Sequence, residues 1–247
     1  MRSHCFAAAF FACQLAAFAG ALPEGVRRIK VLNYPDCFEL TNGDTRVTLC
    51  HQVGGRVLEY SWKGRNALYL DPREEKWGTP GGPKAPSSAG RFDIGPEYLI
   101  PQRDKLWVGE WQAEAIGPRA VRLTSQPDDA TGVQLIRNFR LAATGTHLAC
   151  EQIIRNISQE PKYWTHWSRT FAVHGGIGII PQTPDTRRFP NGFVMYNQGA
   201  EHSIPPGGSV SFTEDWYLLE HRFPIAGEEI DLEKLTVQVE RETLRSR

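Results

Sequence analysis

Apolar and polar residues alternate one by one along several stretches of the chain, and this pattern constrains the fold more than any other feature. The stretch 45–49 alternates directly after Asn42-Gly43, a dipeptide typical of tight hairpin turns. The same alternation recurs at 133–141 and 148–155, with turn residues between the stretches. Because a period of two is the period of a β-strand, the sequence predicts an all-β, antiparallel sandwich.

Two segments depart from this alternation. The segment 71–89 is rich in proline, glycine, serine and charge, which predicts a long surface loop. Near the end of the chain, Leu232, Leu235 and Val239 recur at helical spacing after Asp231, whose side chain can cap a first turn. We therefore expect a short C-terminal helix on the outside of the sandwich.

Residues 1–21 have the layout of a secretory signal peptide. A short basic start precedes an apolar stretch, 5–19, which is followed by small residues suited to signal peptidase. A retained membrane anchor and a lipid-modified Cys13 are the alternatives. The prediction is an exported chain, periplasmic or secreted, with one domain over 22–247 and no membrane contact once the signal is removed.

The composition excludes some partners and sites. The chain has 28 basic and 28 acidic residues, so no overall field attracts nucleic acid. Its seven histidines lack metal-ligand spacing, and its paired glycines lack the context of a phosphate loop. We expect no metal, no cofactor and a monomer. With a turn at Asn42-Gly43, Cys37 faces Thr48 rather than Cys50, so a Cys37–Cys50 disulfide would need a diagonal reach. That disulfide is the alternative, and Cys37, Cys50 and Cys150 are expected as buried thiols.

Several motifs resemble those of a known superfamily. The stretches 53–60, 62–64 and 66–69 resemble the opening hairpins of aldose 1-epimerases and other galactose mutarotase-like proteins. Residues 89–92 (AGRF) look like that family's Gly-Arg-aromatic step, whose arginine contacts sugar hydroxyls. The stretch 163–171 falls where the family has a strand with a catalytic histidine. This resemblance implies a β-supersandwich that holds a sugar on one face.

A nearer resemblance is to the uncharacterised DUF4380-type branch of this superfamily, from about residue 33 onward. It rests on 90–97 (GRFDIGPE), 166–171 (HWSRTF), 188–196 (RFPNGFVMY) and 212–216 (FTEDW). The relatives have several further strands before Pro205, so the chain resembles a member with an internal deletion. In true mutarotases the glutamate that acts as base comes from about this region.

The resemblance gives His166 the role of general acid. In mutarotation a base takes the proton of the anomeric hydroxyl while an acid protonates the ring oxygen, and a histidine suits the acid role near neutral pH. The alternative is a structural histidine that makes one fixed hydrogen bond. Strand periodicity places Trp164 with His166, and Trp167 with Arg169, on opposite faces. His166 and Arg169 can therefore serve one sugar only if a bulge intervenes.

The candidate sugar-binding residues combine charged groups with indole rings. Arginine and carboxylate groups form strong hydrogen bonds with hydroxyls, and tryptophan offers a flat apolar surface. The candidates are Arg91, Asp93, Glu97, Arg103, Trp164, Trp167 and Arg169. Salt bridges and core packing are the alternatives for these side chains. Arg56 and Glu59 are expected on a solvated strand face.

Three functions remain open at this point. The first is an exported carbohydrate-binding protein, whose partner is a saccharide and whose catalytic activity the sequence leaves undecided. The second is an aldose 1-epimerase-like isomerase with His166 as general acid and Asp93 or Glu97 as base. The third is an internally shortened, inactive family member, because the loss of strands exposes sheet edges.

Overall fold

The computed structural model describes residues 21–83, 85–176, 178–179, 196–198, 201–221 and 228–245. Their secondary structure consists of β-strands, short turns and two helices. The strands are β1 (Val26–Val31), β2 (Tyr34–Thr41), β3 (Thr45–Cys50), β4 (Arg56–Trp62), β5 (Arg65–Asn66), β6 (Gly90–Gly95), β7 (Gln112–Gly117), β8 (Ala120–Thr124), β9 (Val133–Leu141), β10 (Leu148–Asn156), β11 (Lys162–Thr170), β12 (Tyr196–Gln198), β13 (His202–Ile204) and β14 (Ser209–Trp216). The helices are α1 (Asp104–Trp107) and α2 (Leu232–Arg245).

Two antiparallel sheets form the sandwich and confirm the predicted all-β class. The large sheet has the order β1-β2-β3-β4-β6-β11-β12, with β5 added to β4 and β13 added to β11. The small sheet has the order β14-β10-β9-β8-β7. Residues 1–20 of the predicted signal peptide and all but the last residue of the 188–196 motif lie outside the described residues.

The core lies between the sheets, where the alternation of the sequence places it. Along β9, Val133, Leu135 and Phe139 are buried against apolar residues of the large sheet, such as Phe92 and Ile94 of β6. Fully burying such a side chain stabilises the fold by about 1.5–3 kcal/mol. We call the core side of the large sheet its inner face and the opposite side its outer face.

The first hairpin corrects the predicted register. Leu40 pairs with Val47 and Thr41 with Arg46, so the turn is centred on Gly43-Asp44, one residue later than expected. The side chain of Asn42 explains the shift, because its amide donates to two backbone carbonyls near β9 and β10, those of Ala142 and Gly145. Asn42 is thereby held beside the end of β2.

This register also changes the expected neighbour of Cys37. Extended by one residue beyond the Phe38–Leu49 pair, it brings Cys37 opposite Cys50, where Thr48 was expected. Both cysteines are nevertheless free thiols, as is Cys150, and all three are buried. The prediction of buried thiols is therefore confirmed, although the register behind it was wrong.

The 71–89 segment is only partly a surface loop. It begins with a 3-10 turn, Pro72–Lys76, in which Glu74 is 2% exposed. Glu74 lies against Arg56, which is fully buried on the outer face instead of solvated as expected. Glu59 is half-buried and bonds to Thr48. The segment covers part of the outer face because it supplies the carboxylate that Arg56 needs.

Helix α2 confirms the predicted C-terminal helix and its cap. The Asp231 carboxylate accepts a hydrogen bond from the backbone N–H of Lys234, the usual N-cap contact. Leu235 is buried, whereas Leu232 and Leu244 are largely exposed. Among the described helices, none has the length and apolar character that a membrane crossing requires.

Candidate functional site

Strands β6 and β11 place the predicted site residues on two different faces. Trp167 pairs with Asp93 and Arg169 with Arg91, in a register that continues without a bulge. The side chains of Arg91, Asp93, Trp167 and Arg169 therefore belong to the outer face, and His166 belongs to the inner face. The structure thus separates His166 from the arginines, and the predicted residues do not all converge on one site.

On the inner face His166 is 1% exposed. Its Nε2 lies 3.0 Å from the backbone carbonyl oxygen of Gln152 on β10. Because that oxygen only accepts, Nε2 carries the proton. The ring stacks on Phe92, with centroids 5.8 Å apart. Burial lowers the pKa of His166 to about 4, so at neutral pH the imidazole is uncharged.

The neighbours of His166 bind the two sheets together. Ser168, on the same face of β11, exchanges hydrogen bonds with the side chain of Gln152 at 2.7 and 3.0 Å. Trp164 packs against the core, and its Nε1 donates to the backbone oxygen of Thr131. These contacts match the structural alternatives for Trp164 and His166.

On the outer face Asp93 and Arg103 form a two-pronged ion pair. Nε of Arg103 lies 2.8 Å from Oδ2 and 3.0 Å from Oδ1 of Asp93, and Nη2 lies 2.5 Å from Oδ2. Burial raises the pKa of Asp93, and the guanidinium of Arg103 opposes that rise. A fork of this kind fixes both side chains in one plane.

The indole ring of Trp107 lies at the centre of three guanidinium groups. The ring centroid is 3.7 Å from the guanidinium carbon of Arg91, 5.1 Å from that of Arg103 and 5.2 Å from that of Arg169. Such distances are typical of cation–π contacts. We call Arg91, Asp93, Arg103, Trp107, Trp167 and Arg169 the outer-face cluster.

Trp107 is the member of this cluster that the sequence did not indicate. It ends the four-residue helix α1, in a stretch without strand periodicity. The sequence feature that could have indicated this contact is the glycine at position 54. In the structure Gly54 has a left-handed φ of +64°. A Cβ at Gly54 would lie 2.3 Å from the backbone oxygen of Trp107 and 2.9 Å from Nη2 of Arg91. The glycine is therefore required where the backbone of Trp107 meets the sheet.

Arg91 is buried with most of its donors unused. Its Nη2 donates to the backbone oxygen of Trp107, but Nε and Nη1 make no hydrogen bond within the described part of the chain. Nε of Arg169, its cross-strand neighbour, also makes no hydrogen bond within the described residues. Burial, with Arg56 and Arg169 nearby, lowers the pKa of Arg91 well below its usual value.

Glu97 lies apart from the cluster. It is exposed at the start of the short turn Glu97–Leu99, and it takes part in none of the contacts that join the cluster. The structure thus brings together five of the eight candidates, Arg91, Asp93, Arg103, Trp167 and Arg169. It places Trp164 and His166 on the other face of the sheet. Among the described residues, no group of histidine, cysteine and acidic side chains could hold a metal ion.

Comparison with known proteins gives one partial likeness. No protein-family model and no curated protein matches this chain. The crystal structure of the Slr1438 protein from Synechocystis sp. PCC 6803 is similar to part of it, with 17% sequence identity and a TM-score of 0.41. The match covers 55% of this chain and 54% of that one. The chain thus spans about half of that protein, and so partial a likeness bears on no functional question.

Proposed function

We propose that the chain is a carbohydrate-binding protein of the galactose mutarotase-like kind. The observation that carries this proposal is the outer-face cluster. The half-buried indole ring of Trp107 can cover the C–H face of a pyranose, and the half-buried guanidinium groups of Arg103 and Arg169 can donate to sugar hydroxyls. The predicted signal peptide extends the proposal to a periplasmic or secreted protein.

The geometry favours binding over catalysis. Mutarotation needs an acid and a base at opposite sides of one sugar. A saccharide on the outer face would be separated from His166 by the backbone of β11. The carboxylate of Asp93 is already held by Arg103. The cluster therefore offers hydrogen-bond donors and aromatic surface, but no free carboxylate among its own side chains.

Calorimetric titration with a panel of monosaccharides and oligosaccharides tests the proposal. We expect at least one sugar to bind, and we expect Trp107→Ala to weaken it at least ten-fold because the ring forms part of the binding surface. Arg140→Ala is the matched control, since Arg140 is exposed on the small sheet. If no sugar binds the wild-type protein, or if both variants behave alike, the proposal is wrong.

Two further measurements test the alternatives from the sequence. Polarimetry on freshly dissolved α-galactose tests the epimerase. A rate above that of buffer, abolished by His166→Ala in a folded variant, would favour the epimerase.

Thermal unfolding of the chain without its predicted signal tests the shortened, inactive member. A single cooperative transition would argue against it.

A further inference from the structure

The outer face carries more positive than negative charge where β4, β6 and β11 adjoin. Four arginines, Arg56, Arg91, Arg103 and Arg169, are accompanied by two carboxylates in the contacts described. Glu74 is paired with Arg56, and Asp93 with Arg103. Two guanidinium charges, those of Arg91 and Arg169, therefore have no carboxylate of their own among the described residues.

The burial of Arg91 makes this imbalance informative. A buried charge without hydrogen-bond acceptors is costly, so such groups usually meet a counter-charge. The side chain of Arg91 is 2% exposed, yet its Nε and Nη1 together leave three N–H bonds without an acceptor in the described residues. Its cross-strand neighbour, Arg169, is half-buried and has a further unused donor at Nε.

A second buried arginine shows why position matters. Arg137 also leaves Nε and Nη2 without a hydrogen bond. Its guanidinium, however, lies between the two sheets, over the ring of Phe139 and bonded to the backbone oxygen of Gly55. Arg91 instead stands beside the half-buried Arg169, under Trp107, on the face of the large sheet opposite the small sheet, where the described strands form no further sheet.

We infer that the ligand of the outer-face cluster is an acidic saccharide, whose anionic group accepts hydrogen bonds from Arg91 and Arg169. This inference rests on the proposed carbohydrate-binding function and specifies its ligand. A carboxylate or a phosphate supplies both the missing charge and the missing acceptors, whereas a neutral hydroxyl supplies only acceptors. The Trp107 ring then lies beside the sugar, and the half-buried Arg103 can donate to its hydroxyls.

The test compares sugars that differ only in the anionic group. Galactose and galacturonate differ at one carbon, and galactose 6-phosphate carries a phosphate at the same place. We expect one of the two acidic sugars to bind about ten-fold to hundred-fold more tightly than galactose, as a charge-assisted hydrogen bond implies. The same series with glucose covers the other common configuration. The preference should fall as salt is added, since the contact is ionic.

Two variants assign the preference to the arginines. Arg91→Met and Arg169→Met should each reduce the affinity for the acidic sugar towards that for galactose, while Arg140→Met should leave it unchanged. Arg91→Lys keeps the charge and should restore part of the preference. Because Arg169 is half-buried, its variant remains informative if Arg91→Met fails to fold.

The possible outcomes separate the inference from the proposed function. If neutral and acidic sugars bind equally, the ligand class is wrong and the carbohydrate-binding function stands. If no sugar of either kind binds, the proposed function itself fails. If acetate or phosphate alone binds as tightly as the acidic sugars, the cluster is an anion site without sugar recognition, and the inference is overturned.

Discussion

Arg56 and Arg91 are two buried arginines on the outer face of the large sheet, on neighbouring strands. Arg56 has a carboxylate partner, because its Nη1 and Nη2 contact Oε1 and Oε2 of Glu74 at 3.0 and 2.6 Å, although its Nε makes no hydrogen bond within the described residues. Tyr34 and Ser88 add hydrogen bonds to this carboxylate. Arg91 has one backbone oxygen and the face of an indole ring.

The difference indicates separate roles for the two corners of the sheet. At the Arg56 corner the chain supplies the counter-charge from Glu74, so this contact attaches the 71–89 segment to the sheet. At the Arg91 corner the described residues supply no carboxylate for Arg91 alone, and its pKa is strongly perturbed, as is typical of functional sites. We therefore expect damage to the first corner to lower stability, and damage to the second to lower binding.

The largest effect is expected from Glu74→Gln. This change leaves the charge of Arg56 buried without its counter-ion, which typically costs about 3–5 kcal/mol. Urea unfolding, monitored by circular dichroism, measures the loss. Glu75→Gln, at an exposed site in the same turn, is the control and should change stability by less than about 0.5 kcal/mol. Equal stability of both variants would remove the contrast between the corners.

The second effect concerns pH and the inner face. His166 has a pKa of about 4 when folded and about 6.5 when unfolded. As the pH falls below 6.5, His166 becomes protonated in the unfolded chain but stays neutral in the folded chain until the pH approaches 4. Stability should therefore decline between pH 6.5 and 4, by up to about 3 kcal/mol, and this decline should level off below pH 4. In a folded His166→Gln variant the decline should be smaller in this window.

A separate acid transition should come from the Arg56 corner. Burial alone would raise the pKa of Glu74, but hydrogen bonds from Arg56, Ser88 and Tyr34 hold it below its usual value of 4.5. The stability that Glu74 contributes is present above pH 4.5 and is lost as the pH falls through the lowered pKa. Comparing wild type with Glu74→Gln at decreasing pH should show this difference shrink once the pH falls below 4.5.

A smaller loss of stability is expected from Gly54→Ala, a change that should also lower sugar affinity. The left-handed φ and the short approach to the Trp107 backbone oxygen both disfavour a side chain, at a cost of about 1–3 kcal/mol. Because α1 must move, Trp107 should shift relative to Arg91 and sugar affinity should fall. Gly43→Ala is the control: it shares a positive φ but its Cβ meets open space. It should keep the affinity.

The smallest change in stability is expected from Arg91→Met. Replacing a buried, poorly paired charge by an apolar side chain of similar length is often neutral or stabilising, so we expect a change between about 0 and +1 kcal/mol in the free energy of unfolding. Urea unfolding without ligand provides the measurement. A loss above 2 kcal/mol would show that Arg91 is structural, and would align it with Arg56.

The strand pattern made most of the fold predictable. The alternation at 133–141 and 148–155 predicted β9 and β10, and the spacing after Asp231 predicted α2. The first register was missed because Asn42 bonds to residues about a hundred positions away. The site was only half predicted. Periodicity correctly placed Trp164 and Trp167 on opposite faces of β11, but it did not indicate which of the two residues faces the core.

By itself the sequence determined the class of fold and the two-sided division of β6 and β11, because both follow from a period of two along a local stretch. Only the tertiary structure decided that His166 faces the core, that Glu74 reaches Arg56 and that Trp107 covers Arg91. These contacts join residues 14, 18 and 16 positions apart in sequence. They depend on how sheets and loops pack, and no local pattern encodes that packing.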